Sequence, residues 1–287
     1  MAAKLLDGKI IAAKINEQLK LDVQALKSKK GMVPHLAVIE VGKDEASAVY
    51  VKSQANAAMK LGIEYKLHTL DASSTQKSLE DFINKLNQDK NVTGIMLQLP
   101  LPKAINSKEA QLKITPEKDV EAVNPQNLGR VFVGGYKVAP CTAMAAMELI
   151  QSTGVDLAGR EVVVVGRSAI VGKPIAMLLL EKNATVTVCH TGTAKREKLA
   201  EHIKKAEVLV VAIGKPGVIK GNWVRKGAVV IDVGTTLVNN EIVGDVEFDK
   251  AARRAAFITP VPGGLGPLTV AVLMRNVTML FKSQVQL

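Results

Sequence analysis

The chain has 287 residues, 47% hydrophobic and 23% charged, which is long enough for two domains with ample buried core and too apolar for a long disordered tail. Its formal net charge is +11, from 38 Lys+Arg against 27 Asp+Glu, and this suits polyanionic partners: nucleic acid, phosphorylated cofactors or polyglutamylated substrates. Aromatic residues make up only 3% and the lysines are scattered along amphipathic stretches rather than gathered into a basic arm, so nucleic acid is disfavoured.

From Lys9 to Lys29 the apolar residues Ile11, Ile15, Leu19, Val23 and Leu26 recur at three- and four-residue spacing, which predicts an amphipathic helix ended by Gly31. A buried strand is expected at His35 to Val41, a helix from about Ala46 to Leu61, a strand at Ile63 to His68 and a helix at Gln76 to Leu86. The run from Gly94 to Leu99 reads as a strand stopped by Pro100 and Pro102, because proline cannot donate to a ladder. This first half is an α/β unit with a parallel sheet.

After Pro140 the pattern restarts with a helix at Met144 to Gln151 and a β-branched strand at Glu161 to Gly166, suited to cover on both faces. Further strands are expected at Thr185 to Cys189, Glu207 to Ile213, Ala228 to Val233 and Ala256 to Ile258, a Rossmann-like series. A last helix runs from about Pro267 to Phe281, after a Pro-Val-Pro-Gly-Gly turn. The expected fold is therefore α/β with two domains: a catalytic domain of residues 1–143 and 267–287, and a nucleotide-binding domain of residues 144–266.

Gly166-Arg167-Ser168-Ala169-Ile170-Val171-Gly172-Lys173-Pro174 follows a strand and opens a helix, where glycines permit close backbone approach and a helix N-terminus favours a pyrophosphate. Ser168 holds the second glycine position of the dinucleotide fingerprint, so taken alone the motif also fits a plain strand-turn-helix. The segment Thr185 to Thr193, where an NAD site usually carries its ribose-binding carboxylate, offers none. With Arg167 nearby and a hydroxyl at Thr191, a 2′-phosphate meets donors rather than repulsion, and NADP is expected over NAD. Cys141 and Cys189 lack CxxC spacing, and His35, His68, His190 and His202 lack HxxxH or HxH spacing, so neither disulfide nor metal site is expected. Met1 to Gly8 holds no continuous apolar run, and a soluble, cytoplasmic protein without a membrane partner follows.

Four blocks in order, Gly94 to Pro102, Lys118-Asp119-Val120, Pro140-Cys141-Thr142 and Pro260 to Pro267, together with the cofactor motif, resemble the bifunctional methylenetetrahydrofolate dehydrogenase/cyclohydrolase family over essentially the whole chain. The resemblance implies folate in a cleft between the domains, a last helix packed back on the first domain, and a homodimer. It also implies that Tyr50 orients the folate, that Gln98 lies beside the catalytic pair, and that Pro262, Gly266 and Thr269 line the substrate site. Gly166, Arg167, Ser168, Gly172, Thr191 and Thr235 are the implied cofactor contacts. The family's cofactor segment has a basic residue where this chain has Gly192, whose absence weakens the phosphate grip.

The chain departs from the family at the residue that matters most for chemistry. The catalytic helix reads Ser-x-x-Tyr-Val-x-x-Lys in the family, and here Ser47, Tyr50 and Val51 are followed by Gln54. Residues four apart share a helix face, so Gln54 lies over Tyr50 while Lys52 points across the helix. Hydride transfer needs positioning, which glutamine supplies; hydrolysis of the methenyl cation needs a titratable side chain, which it does not. Lys118-Asp119-Val120-Glu121-Ala122 also stands where the family has Lys-Asp-Val-Asp-Gly, and Glu121 adds a methylene to the carboxylate that holds the pteridine. The expectation is an NADP-dependent methylenetetrahydrofolate dehydrogenase with weak or absent cyclohydrolase activity. Its rivals are the complete bifunctional enzyme, with a proton path through Lys52 or water, a non-catalytic folate or nucleotide sensor, and an RNA-binding protein.

Overall fold

The computed structural model describes residues 2–239 and 241–286. In chain order its first elements are β1 (Lys4–Leu5), α1 (Gly8–Lys30), β2 (His35–Val41), α2 (Glu45–Leu61), β3 (Glu64–Leu70), α3 (Gln76–Gln88), β4 (Gly94–Leu97), α4 (Ser107–Leu112), α5 (Pro125–Val133) and α6 (Cys141–Ser152). They continue as β5 (Glu161–Val165), α7 (Gly172–Leu180), β6 (Thr185–Cys189), α8 (Thr191–Lys195), α9 (Leu199–Lys205), β7 (Val208–Val211), β8 (Val229–Asp232), β9 (Thr236–Val238), β10 (Glu241–Val243), α10 (Phe248–Ala252), β11 (Phe257–Ile258) and α11 (Leu265–Gln284). The chain divides into two compact units: Met1–Ala13 with Thr142–Thr269, and Lys14–Cys141 with Val270–Leu287.

In the unit of Lys14–Cys141 and Val270–Leu287, three parallel strands run in the order β3-β2-β4. The centre strand β2 is apolar and buried along nearly its whole length, as a strand covered on both faces must be. Ile39, Leu79, Ile83, Ile95 and Leu97 form the core between sheet and helices. Helix α2 begins at Asp44, whose carboxylate accepts from Ser47 N at 2.8 Å, and ends at Gly62 with φ +75°. Residues 118–120 extend the sheet: Ile95 pairs in parallel with Asp119, and Ile95 N donates to Lys118 O at 2.7 Å. This approach explains Gly94, because a Cβ there would occupy the space of the Val120 side chain.

The other unit carries a six-stranded parallel sheet in the order β1-β11-β8-β7-β5-β6. Strands β5, β7 and β8 are valine-rich and buried, and they deliver their carboxyl ends, with the loops that follow, to one edge. The edge strand β1 has only two residues, both exposed, so no periodicity could announce it; it is recruited by pairing with β11. Met1–Ala13 accordingly belong to this unit. No helix among the described residues is long and apolar enough to cross a membrane.

The C-terminal part of α11 belongs to the three-stranded unit and is held there by one buried polar side chain. Asn276, 3% exposed, donates through Nδ2 to Val120 O at 2.8 Å, to Ala139 O at 3.0 Å and to Cys141 Sγ at 3.4 Å. Lys282 Nζ adds an ion pair to Asp22 at 2.7 Å. Replacing Asn276→Ala strands two buried carbonyls, and equilibrium denaturation should show a loss of about 1–3 kcal/mol in unfolding free energy.

Candidate active site

Helix α2 carries Tyr50 and, four residues on and on the same face, Gln54. Gln54 is completely buried, whereas Lys52, on the far side of the helix, is exposed. The Gln54 amide oxygen accepts from the Tyr65 hydroxyl at 3.2 Å, and its Nε2 has no hydrogen-bond partner among the described residues. Burial holds the Tyr50 and Tyr65 phenols well above their ordinary ionisation range; the nearby Cys141 and Glu121 add to this at Tyr50, and the Gln54 amide opposes it. Both phenols therefore stay protonated at neutral pH, and neither is a base. The Cys141 thiol is likewise pushed far up, by burial first and then by Glu121 and Asp119.

The segment 118–122 is anchored from behind. Lys118 Nζ donates to Leu86 O at 2.8 Å and to Asp89 O at 2.6 Å, and Asp119 Oδ2 accepts from Asn124 N at 2.7 Å and Asn127 Nδ2 at 3.0 Å. These bonds fix the turn that carries Glu121, whose charge acts on Tyr50. Burial, with Asp119 nearby, pushes the Glu121 carboxyl up to about 8. Ala122 sits at φ +54°, in the left-handed region that favours glycine, so the Gly-to-Ala departure has a backbone cost of about 1–2 kcal/mol at this turn. Gln98 lies just past β4, 7% exposed; its Nε2 donates to Leu99 O at 3.0 Å and its Oε1 is buried without a partner among the described residues.

On the six-stranded sheet, the loop after β5 is shaped by two glycines. A Cβ on Gly166, φ +128°, would collide with Ala212 O, and one on Gly172 would collide with the carbonyl of Gly166. Between them Arg167 and Ser168 are exposed; Ser168 Oγ accepts from Val171 N at 3.1 Å and Gly172 N at 3.3 Å, which leaves its hydroxyl hydrogen free to donate. Gly166 N donates to Cys189 O at 2.9 Å, tying this loop to the end of β6, where Thr191 is exposed. Gly192 has a local reason: its N donates to His190 Nδ1 at 3.1 Å, and a Cβ there would lie 2.9 Å from the ring. An exposed loop at a helix N-terminus, with Arg167 and hydroxyl donors and no carboxylate in β6 or α8, fits a dinucleotide phosphate.

Thr235, Pro262 and Gly266 line one cavity of about 340 Å³ in the same unit, together with Lys9 and Asp232. Thr269 does not line it; its hydroxyl donates back to Leu265 O at 3.1 Å. The sequence reading missed the braces beneath this cavity. Asp232 accepts from Gly234 N at 2.9 Å, Asp245 N at 3.1 Å and Val246 N at 2.9 Å, and burial still pushes its carboxyl up to about 6. Asp245 in turn accepts from Ile213 N, Gly214 N and Lys215 N at 2.7–2.9 Å. The available signal was Gly234 and Gly244, each of which leaves room for the other strand-end's aspartate. Tyr65 was missed for want of any signal, since it lies on edge strand β3 outside every motif.

Residues 6–121 match the family model of the tetrahydrofolate dehydrogenase/cyclohydrolase catalytic domain, and residues 140–285 that of its NAD(P)-binding domain. The chain is similar to the bifunctional protein FolD of Acetivibrio thermocellus, 50% identical over 288 aligned positions that cover 100% of both. It is 47% identical to FolD of Bacillus subtilis, with 96% of each covered. Among solved structures it resembles Trypanosoma brucei N5,N10-methylenetetrahydrofolate dehydrogenase-cyclohydrolase complexed with NADP and an inhibitor, with a TM-score of 0.95, 40% identity and 100% of both chains covered.

The raised Glu121 carboxyl has a measurable signature. Its unfolded value near 4.5 lies below its folded value of about 8, so its stabilising contribution is complete below pH 4.5 and is lost as pH rises to about 8. Glu121→Gln removes this dependence: thermal melts should show a higher melting temperature than the parent at pH 8.5 and little difference at pH 4.5.

Proposed function

Because the chain belongs to the tetrahydrofolate dehydrogenase/cyclohydrolase family, we propose that it oxidises 5,10-methylenetetrahydrofolate to 5,10-methenyltetrahydrofolate with NADP, and that its cyclohydrolase activity is weak or absent. The observation that carries the second half of this reading is the fully buried amide of Gln54 in the position of the family's lysine.

NADP, when bound, supplies the hydride acceptor. Arg167, the Ser168 hydroxyl and Thr191 are the residues to hold it, and the missing carboxylate in β6 and α8 favours the 2′-phosphorylated form. On the folate side Tyr50, Gln54 and Gln98 orient the reduced ring, and Glu121 takes the pteridine N–H donors, a role that requires it ionised. Pro262, Gly266 and Thr269 complete the proposed substrate contacts. Loss of hydride leaves a cation shared by two folate nitrogens, and no proton has to move.

Hydrolysis of that cation does require proton transfer as water adds and the ring opens. Tyr50 and Cys141 are held protonated by burial, and Lys52 is exposed on the other side of α2. Glu121, pushed up to about 8, is the group that favours the alternative, a complete bifunctional enzyme. With pteridine donors on it, that carboxylate is engaged as an acceptor. The names of the FolD relatives speak for both activities in those proteins; the departure proposed for this chain rests on position 54.

The assignment of folate to the domain expected at residues 1–143 and 267–287 and of NADP to that at 144–266, with residues 1–13 moved to the NADP side where β1 pairs with β11, a homodimer, a cytoplasmic setting and the lack of nucleic-acid or membrane partners belong to the same reading. Scattered lysines and few aromatics support the lack of a nucleic-acid partner. NADPH formation from methylenetetrahydrofolate is its primary test, and a non-catalytic sensor would form none. Gln54→Lys should raise enzyme-dependent loss of methenyltetrahydrofolate by about 10²–10⁴-fold. No gain would place the obstruction elsewhere in the pocket, and loss of residual activity in Glu121→Gln would favour the bifunctional alternative.

A further inference from the structure

We propose that the amino-terminal edge of the six-stranded sheet carries a second anion site, separate from the cofactor loop, that takes an organic phosphate of mononucleotide size. The inference concerns a cavity that the dehydrogenase reading does not use, and it stands whether or not that reading holds.

The register of the sheet builds the site. Val162, Val208, Val229 and Phe257 are partners across β5, β7, β8 and β11, so the amino ends of these parallel strands align. Residues at or just before those ends, Arg160, Glu207, Val229 and Phe257, line one cavity of about 430 Å³ together with Arg225 and Lys226. That volume lies within the range of about 300–1,000 Å³ usual for small-molecule sites. The Gly166–Gly172 loop leaves the other end of β5; Arg160 and Gly166 flank that strand, which puts the two edges about 20 Å apart. A small ligand at the amino edge does not reach the dinucleotide loop.

Charge and unused donors identify the class of ligand. Arg160 Nη1 donates to Glu207 Oε1 at 2.7 Å and its Nε to Asp156 O at 3.2 Å. Arg225 Nη1 donates to Lys205 O at 3.2 Å and lies 3.8 Å from Glu207 Oε1. Glu207 Oε2 accepts from Glu161 N at 3.1 Å, and the Arg160 guanidinium beside it holds its carboxyl below the ordinary range, so it is ionised at neutral pH. Both oxygens of this carboxylate are engaged, and it orients Arg160 without neutralising the cavity. The Nη2 groups of Arg160 and Arg225 and the Lys226 ammonium have no hydrogen-bond partner among the described residues. Three cations against one carboxylate leave the lining with a net charge of +2. A phosphate monoester, at about −1.5 to −2 near pH 7, matches that charge and the guanidinium fork, whereas a single carboxylate balances half of it. Val229 and Phe257 give the organic part of the ester an apolar wall.

Isothermal titration calorimetry with uridine 5′-monophosphate, inorganic phosphate and uridine tests the assignment. The titrations use the full chain carrying Arg167→Gln, which weakens phosphate binding at the cofactor loop, and the same chain with Arg225→Gln and Lys226→Gln added. Uridine monophosphate should bind the first with a dissociation constant of about 0.1–1 mM, inorganic phosphate more weakly, and uridine not measurably. The two added substitutions should weaken the nucleotide at least about tenfold, with a melting temperature near that of the Arg167→Gln chain, because both side chains are exposed. Nucleotide affinity undiminished by those substitutions would overturn the proposal. So would uridine binding as well as its phosphate, or no nucleotide binding at about 10 mM. NADPH formation from methylenetetrahydrofolate is a separate readout: a chain that forms none but passes the titration loses the dehydrogenase reading and keeps this site.

Discussion

Burial of the polar groups beside helix α2 is the constraint on which the chemistry of this protein depends. Burial is the largest cause of the displaced ionisation of Tyr50, Tyr65, Glu121 and Cys141, ahead of any charge-charge effect. The same burial makes an unpartnered amide nitrogen at Gln54 expensive and gives its bond to Tyr65 weight. Burial keeps two phenols and a thiol neutral, which leaves Glu121 and the side chain at position 54 as the groups that bear on proton transfer here.

The scaffold serves that pocket through second-tier contacts. Asn276 on the last helix gathers Val120 O, Ala139 O and Cys141 Sγ, and Lys118, Asp119, Asn124 and Asn127 fix the turn that carries Glu121. On the other unit Asp232 and Asp245 do equivalent work, holding the strand-end loops with backbone N–H bonds rather than ion pairs. The exposed ion pairs, such as Lys198 with Glu201, are of the kind that adds at most about 1 kcal/mol.

Much of this was legible in the sequence where one residue type has one physical use. The 3.6-residue period placed α1 and α2, so the shared face of Tyr50 and Gln54, with Lys52 across the helix from it, followed before any coordinates. The Gly166–Gly172 loop was legible because glycines there answer to backbone collisions. The Tyr65 bond was not, because an edge strand with mostly exposed residues carries no pattern that distinguishes one tyrosine from another. Nor was the role of Asn276, a single polar residue within an apolar helix, or the left-handed turn at Ala122, which arises from long-range pairing of residues 118–120 with β4. Strand β1 forms only because β11 is there to pair with it.

The central claim is that a buried amide in place of a titratable side chain separates the two reactions of the family. The most direct measurement follows NADPH and methenyltetrahydrofolate together in one reaction of the unmodified chain with methylenetetrahydrofolate and NADP. Methenyltetrahydrofolate should accumulate in step with NADPH and decay only at the rate of the enzyme-free buffer. Decay that accelerates in proportion to enzyme would contradict it.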